Sequence, residues 1–260
     1  MPRYEPFNWY DDPEYYDLIF GADTKLEADF IEAVALRLSG RRCRRVLEPA
    51  CGTGRLVVEL ARRGHDVTGF DLSDASLRFA RRRLAAARRR ARLSRAALQR
   101  FSFPRRFDLA HCLVSTFKYL LDEASARHHL RCVARALDKG GFYLLGIHLS
   151  EYGERGLTRE RWVARRGEME VVCNIQVWPP DRRKRTERVR SRLVVRRGGA
   201  TRHLETNWLF RSYGVRQMRS LLKSVPQFEH VATYGFDYLV DAPFSFDGNR
   251  LDNVLVLRKK

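Results

Sequence analysis

The sequence predicts an α/β fold: a seven-stranded, mostly parallel sheet with helices on both faces and an antiparallel β insertion. Three observations predict it. Apolar runs ending in loops alternate with helical patterns between residues 24 and 149, the rhythm of a doubly wound sheet. Within that region, Val46-Leu47-Glu48-Pro49-Ala50-Cys51-Gly52-Thr53-Gly54-Arg55 breaks from a strand into a glycine loop and then a helix. Between residues 150 and 210 the period drops to two. A chain of 260 residues is long enough for one large domain with an insertion and a full-sized core. The domain reading is a core of residues 1–149 and 211–260, with 150–210 inserted as a meander.

Residues 1–22 carry Tyr4, Phe7, Trp9, Tyr10, Tyr15, Tyr16 and Phe20, broken by Asp11-Asp12-Pro13. This segment reads either as a hydrophobic cover for the sheet edge or as a lid. Thr24-x-x-Glu27 has the capping-box pattern, Leu26, Phe30, Ile31, Val34 and Leu38 follow at helical spacing, and Gly40 stops the helix. After the glycine loop comes a helix with Leu56, Leu60 and Ala61 on one face, then Gly64. The next strand, Asp66 to Phe70, ends on Asp71. An acidic residue about 20 positions beyond a glycine loop is where a doubly wound sheet grips a ribose diol.

Ser73 caps a helix with Leu77, Ala80 and Leu84 inward, which continues into the arginine-rich stretch Arg81 to Arg95. A third strand falls near Leu93 to Leu98 and a fourth at Phe107 to Leu113. Asp122 caps a helix with Leu130, Val133 and Leu137 inward, Lys139-Gly140-Gly141 stops it, and Phe142 to Leu149 is the fifth strand. The insertion shows three alternating runs: Met169 to Val177, Val189 to Val195 and Leu204 to Phe210, turned at Pro179-Pro180 and Gly198-Gly199. A last helix, Val215 to Leu222, precedes a closing hairpin of Phe228 to Tyr238 and Leu251 to Leu257.

A dinucleotide loop needs a third glycine, and Val57 stands in its place. Glu48 would face a pyrophosphate badly but suits a positively charged group. The segment Glu48-Pro49-Ala50-Cys51-Gly52-Thr53-Gly54 resembles motif I of class I S-adenosylmethionine-dependent methyltransferases. Gly69-Phe70-Asp71-Leu72-Ser73 resembles their second motif, Val114 to Leu120 their fourth, and Leu137-x-x-Gly140-Gly141 a further hallmark. The resemblance covers residues 14–149 and implies a Rossmann-like sheet with S-adenosylmethionine as cofactor. It implies cofactor contacts from Tyr16, Glu48, Ala50, Gly52, Gly54, Asp71, Leu72, Leu98 and Leu113. Tyr16-Asp17 fits a Tyr-Asp pair common in that region of the family. Where members place an acid for the adenine amino group, this chain has Ala97-Leu98-Gln99. Related small-molecule methyltransferases carry a sheet like the insertion over the active site, so residues 150–210 read as a substrate cover.

Methyl transfer needs alignment more than a catalytic group, so no residue is obligatory; a base helps when the nucleophile is a protonated amine or a hydroxyl. His148, at the carboxyl end of the fifth strand, is the candidate base, beside the reading of a satisfied histidine under the insertion. His111 reads as structural, and His128-His129 as a polar helix face. No histidine–cysteine spacing suits a metal. Cys51 lies in the cofactor loop rather than at the fourth-strand tip, and Ser115-Thr116-Phe117 lacks an amino-adenine signature, which argues against methylation of nucleic-acid bases.

The formal net charge of +19 comes from 43 arginines and 7 lysines against 31 acids, as compositional filling of exposed sites would produce. The favoured partner is a small-molecule substrate. An RNA- or protein-directed methyltransferase, or a non-catalytic nucleic-acid-binding member of the fold, is the alternative that this charge keeps open. No run reaches the ~18 apolar residues of a membrane span. The N-terminal residues read as neither a signal nor a transit peptide. Five scattered cysteines read as reduced cytoplasmic thiols. Nothing in the sequence fixes the oligomeric state.

Overall fold

A computed structural model describes residues 2–153 and 155–260; Met1 and Glu154, which the domain reading places in the core and the insertion, lie outside the described residues. In chain order the elements are β1 (Glu5–Pro6), α1 (Pro13–Phe20), α2 (Thr24–Ser39), β2 (Arg45–Pro49), α3 (Arg55–Arg62), β3 (Asp66–Asp71), α4 (Asp74–Ala86), β4 (Arg92–Arg95), β5 (Phe107–Cys112), a 3-10 turn (Thr116–Tyr119), α5 (Glu123–Ala136), β6 (Leu137–His148), β7 (Thr158–Arg166), β8 (Met169–Val177), β9 (Thr186–Arg197), β10 (Ala200–Arg211), α6 (Val215–Lys223), β11 (Phe228–Tyr234) and β12 (Asp252–Lys259).

They form a seven-stranded sheet in the order β11-β12-β6-β5-β2-β3-β4 and a five-stranded sheet in the order β1-β10-β9-β8-β7. In the larger sheet β12 runs antiparallel between β11 and β6, and the neighbours from β6 to β4 are parallel. The predicted sheet, with its closing hairpin, is therefore present.

Successive residues of these strands point to opposite faces, as a pleated strand requires. Val46, Leu109, Leu144 and Val254 enter one core layer with α2, α3 and Leu77 and Leu84 of α4. Their neighbours Leu47, Ala110, Leu145 and Leu255 enter the other, with α5 and α6. The near-continuous apolar runs follow from burial on both faces.

The second sheet packs half of its inner face (Met169, Val171, Cys173, Leu193, Val195 and Leu204) on Trp9 and Tyr15. The aromatic N-terminus thus covers the inserted sheet, not the edge of the larger one. Its short strand β1 pairs with β10. The insertion also has one strand more than the three alternating runs. β7 is mostly exposed, so its sequence carries no clean alternation, and a left-handed Gly167 turns it into β8.

Four local expectations need correction. The capping box at Thr24 does not form: Asp23 is the N-cap, and Glu27 is buried against Arg55, pairing Oε1 with Nη2 at 2.9 Å. Leu26, expected inward, is exposed. Helix α4 stops at Ala86 and the chain turns through a left-handed Arg88, so Arg92 to Arg95 belong to a strand, β4, pairing with Thr68 to Asp71. His129 is fully buried, not on a polar face. It lies with Ala126, Leu130 and Val133 on the inward stripe of α5.

Many arginines are paired within the chain: Arg63 with Asp29, Glu32 and Glu59, Arg45 with Asp138, and Arg92 and Arg105 with Asp66. Among the described residues no helix is long and apolar enough to cross a membrane.

Candidate active site

The site is built where β2 and β3 end. Three left-handed residues, Ala50, Gly52 and Gly54, carry the chain from β2 into α3. Such backbone favours glycine, and the two glycines use that freedom differently. A Cβ on Gly52 would meet nothing within 4 Å, so that position leaves open space above the loop. A Cβ on Gly54 would stand 2.7 Å from the Cβ of Ala80, so Gly54 lets α3 and α4 pack closely. Gly54, expected at the cofactor, does not line the cavity there.

The Asp71 carboxylate braces the loop. Its Oδ2 accepts from Gly52 N at 2.9 Å and its Oδ1 from Ser73 N at 2.8 Å. Burial raises its pKa and these backbone donors oppose the rise. Asp71 lines a cavity of about 730 Å³ together with Tyr16, Ala50, Gly52, Leu72 and Leu98, so the structure brings six of the nine expected cofactor residues together.

Glu48 lies beneath the loop, buried, and does not line that cavity. Burial pushes its carboxyl up to about 8, against the pull of Arg55. Its Oε2 has no hydrogen-bond partner among the described residues and lies 4.0 Å from His111 Nε2. Both ring nitrogens of His111 are likewise unpartnered, and burial pushes that ring down to about 3. At neutral pH both groups are therefore mostly uncharged. Burial thus makes ionisation of Glu48 favourable only where a cation arrives to meet it. Leu113 is also displaced from its expected role. It sits in the core layer under α2 and α3, and the next residue, Val114, turns left-handed and faces a second cavity.

Beyond the third strand, Leu98 and Gln99 line the first cavity, and its carboxylates are Asp11, Asp71 and Asp74. Leu98 is held from behind, because its carbonyl accepts from His129 Nδ1 at 2.8 Å. The Nδ1–H tautomer leaves Nε2 to accept from Tyr143 Oη at 2.7 Å. His129 is thus a positioning residue that the sequence reading missed, although its place on the 126, 129, 130, 133 stripe marks it as inward.

A second cavity, of about 540 Å³, lies between the strand tips and the inserted sheet. The two cavities share one wall: Trp9, Tyr10, Tyr16, Thr116 and Tyr119 line both. Tyr10 Oη donates to Tyr119 Oη at 2.8 Å across it. Alternate residues of β7 (Thr158, Glu160, Trp162) face the second cavity, as do Ile175 and Val177 of β8, Glu187 and Val189 of β9, and Trp208 and Phe210 of β10. His148 lines its mouth, with Nδ1 2.7 Å from Asp252 Oδ1. Deeper, the buried Lys118 ammonium pairs with Glu187 and donates to the His148 carbonyl at 3.1 Å. Asp252, Lys118 and Glu187 carried no sequence signal, because 104 positions separate Asp252 from His148 and 69 separate Lys118 from Glu187.

Among the described residues no cluster of three or more His, Cys, Asp or Glu side chains is arranged to hold a metal ion. Cys51 packs where a Cβ on Gly69 would lie, and burial pushes its thiol well above the usual range.

A family profile described as "Methyltransferase domain" matches residues 46–141. The chain is 34% identical over 113 residues to the ubiquinone biosynthesis O-methyltransferase of Alkalilimnicola ehrlichii, covering 43% of this chain and 44% of that one. It spans about half the length of the curated relatives it matches. Among solved structures it resembles an S-adenosylmethionine-dependent methyltransferase from Clostridium acetobutylicum, at 20% identity and a TM-score of 0.78, over 95% of this chain and 97% of the other. The sugar N-methyltransferase KedS8 from Streptoalloteichus also matches, at 20% identity and a TM-score of 0.77, over 100% and 98%. At that identity the two structures establish the fold.

Proposed function

Since the chain belongs, through residues 46–141, to the class I S-adenosylmethionine-dependent methyltransferase family, we propose that it transfers a methyl group from that cofactor to a nitrogen or oxygen nucleophile of a small molecule. The observation that carries this reading is the shared wall: a cavity braced by Gly52 and Asp71 adjoins a second one that His148 reaches. Reactants seated in the two cavities would meet where these shared side chains border both.

The residues present fit the cofactor. Asp71 would hold the ribose hydroxyls, Leu72 and Leu98 the base, and Tyr16 the region nearest the wall. The unpartnered Glu48 Oε2 marks where a cationic group would be welcome. When bound, S-adenosylmethionine supplies a methyl group on a sulfonium, with a neutral thioether as leaving group. The protein's part is to align the nucleophile, which is worth roughly 7–11 kcal/mol of barrier, and to exclude water with the aromatic wall. Asp252, on Nδ1, fixes the His148 tautomer with Nε2 free to take a proton.

Residues 150–210 serve as the substrate cover in this reading, since four of their strands present alternate side chains to the second cavity. A cytoplasmic setting accords with five free, buried cysteines. Incubation with methyl-labelled S-adenosylmethionine and metabolite extracts tests the function. Label should enter a small molecule, while failure to bind the cofactor in calorimetry would sink the reading.

Glu48 makes a second, separable prediction. Its carboxyl titrates at about 8 in the protein alone, so it holds a proton at pH 7. A bound cation favours the carboxylate and pulls that value down. Cofactor binding at pH 7 should therefore release a proton, read as a dependence of the binding heat on the buffer's ionisation enthalpy. Glu48→Gln should bind without that dependence. A parent protein whose heat is the same in all buffers would place the cationic group elsewhere.

A further inference from the structure

The second cavity has a composition unlike the rest of the chain. The protein carries 50 lysines and arginines against 31 acids, yet no arginine among the described residues lines this cavity. Its carboxylates are Glu151, Glu160, Glu187 and Asp252, against one lysine and one histidine. The lysine is already paired with Glu187 and the histidine with Asp252. Glu160 pairs with no lysine or arginine among the described residues. It stands on β7 two residues before Trp162 and so shares its face.

All four tryptophans of the chain, Trp9, Trp162, Trp178 and Trp208, line this one cavity. Indole faces attract cations more strongly than other aromatic rings do. Two of these indoles also carry unmet donors. Trp9 Nε1 and Trp208 Nε1 are buried with no hydrogen-bond partner among the described residues, and the rings lie 5.8 Å apart. Both nitrogens are shut off from water, which marks these indoles as desolvated.

Resting on the methyl-transfer reading above, we propose that the acceptor is an amine that enters as its ammonium, held by Glu160 and the tryptophan box, and that the cavity excludes phosphorylated acceptors. Cation–π attraction and the unpaired carboxylate select the charge. An anionic acceptor would meet four carboxylates; the lysine and histidine of the lining are paired, and Arg188, stacked 3.9 Å from the Trp178 ring centroid, is not part of the lining. In the reaction, the ammonium gives one proton to the free ring nitrogen of His148. The amine lone pair then forms the carbon–nitrogen bond as the methyl–sulfur bond breaks, and that bond's electrons stay on sulfur as a neutral thioether. The product leaves as a methylated ammonium.

Because every tryptophan lines the cavity, intrinsic fluorescence reports its occupancy without turnover. Three probes on one cyclohexane frame suffice: the vicinal amino alcohol, the corresponding diol, and that diol's phosphate monoester. The amino alcohol should bind at least about tenfold more tightly than either of the others, the size of a desolvated cation–π contact. Glu160→Gln should remove most of that preference and leave diol binding unchanged. Equal or absent binding of the three, tighter binding of the phosphate, or a preference untouched by Glu160→Gln would overturn the assignment. Cofactor calorimetry on the same samples separates the two failures. Cofactor binding without an amine preference removes only this inference, whereas no cofactor binding removes the reading it rests on.

Discussion

Replacing Lys118 with methionine is expected to cost about 3–5 kcal/mol of stability, the usual penalty for stripping one partner from a buried ion pair. Lys118 and Glu187 keep only 2% and 7% of their side-chain surface exposed. Burial pulls the ammonium's pKa down, and Glu187 opposes that pull. Without Lys118, Glu187 would keep a single hydrogen-bond donor, Ser150 Oγ at 2.8 Å. The carbonyl of His148 would lose its partner too. Urea unfolding of Lys118→Met, Glu187→Leu and the double variant tests this. The double variant should recover most of the loss, because two apolar groups of similar volume leave no charge stranded. A single variant as stable as the parent would mean that water reaches the pair and that its loss strands no charge.

The second large effect concerns the cofactor. Asp71→Ala should weaken S-adenosylmethionine binding roughly ten- to hundredfold, since hydrogen bonds to a charged group are worth about 1.5–3 kcal/mol. The substitution removes the proposed acceptor for the ligand together with the brace on Gly52 N and Ser73 N. Asp71→Asn separates them, because one amide oxygen can still accept from the loop while the charge is gone. An intermediate affinity for Asp71→Asn is expected by calorimetry. Unchanged affinity in the alanine variant would falsify the ribose assignment.

The sheet was legible because its strands are buried on both faces and end in glycine or aspartate. Val46-Leu47 and Leu144-Leu145 each feed two core layers, and a double-sided apolar run leaves little choice of fold. The inserted sheet announced itself where one face is buried, from Met169 to Cys173, and stayed silent at β7, where both faces are mostly exposed. Glu27 shows the limit of local pattern. Three residues after a threonine it satisfies a capping rule, yet a buried Arg55 28 positions away claims it. Gly52 and Gly54 are alike in sequence, and only the position of Ala80 reveals that one of them serves packing. Asp252, the partner of His148, and the Lys118–Glu187 pair come from distant segments, and no local period encodes such meetings.

The wall between the two cavities is made largely of the first residues of the chain, and it is fastened by residues near the end. Thr206 Oγ1 donates to the Phe7 carbonyl across 199 positions of sequence, and among the described residues β1 pairs with β10 alone. Other contacts close loops as long, among them Glu27 with Tyr238 Oη and Arg37 with Asp241, and such closures cost entropy and slow folding. Trp9, Tyr10 and Tyr16 can settle beside β10 only after the segments between them have been synthesised. The chamber in which the reactants would meet thus depends on a contact between segments 199 positions apart.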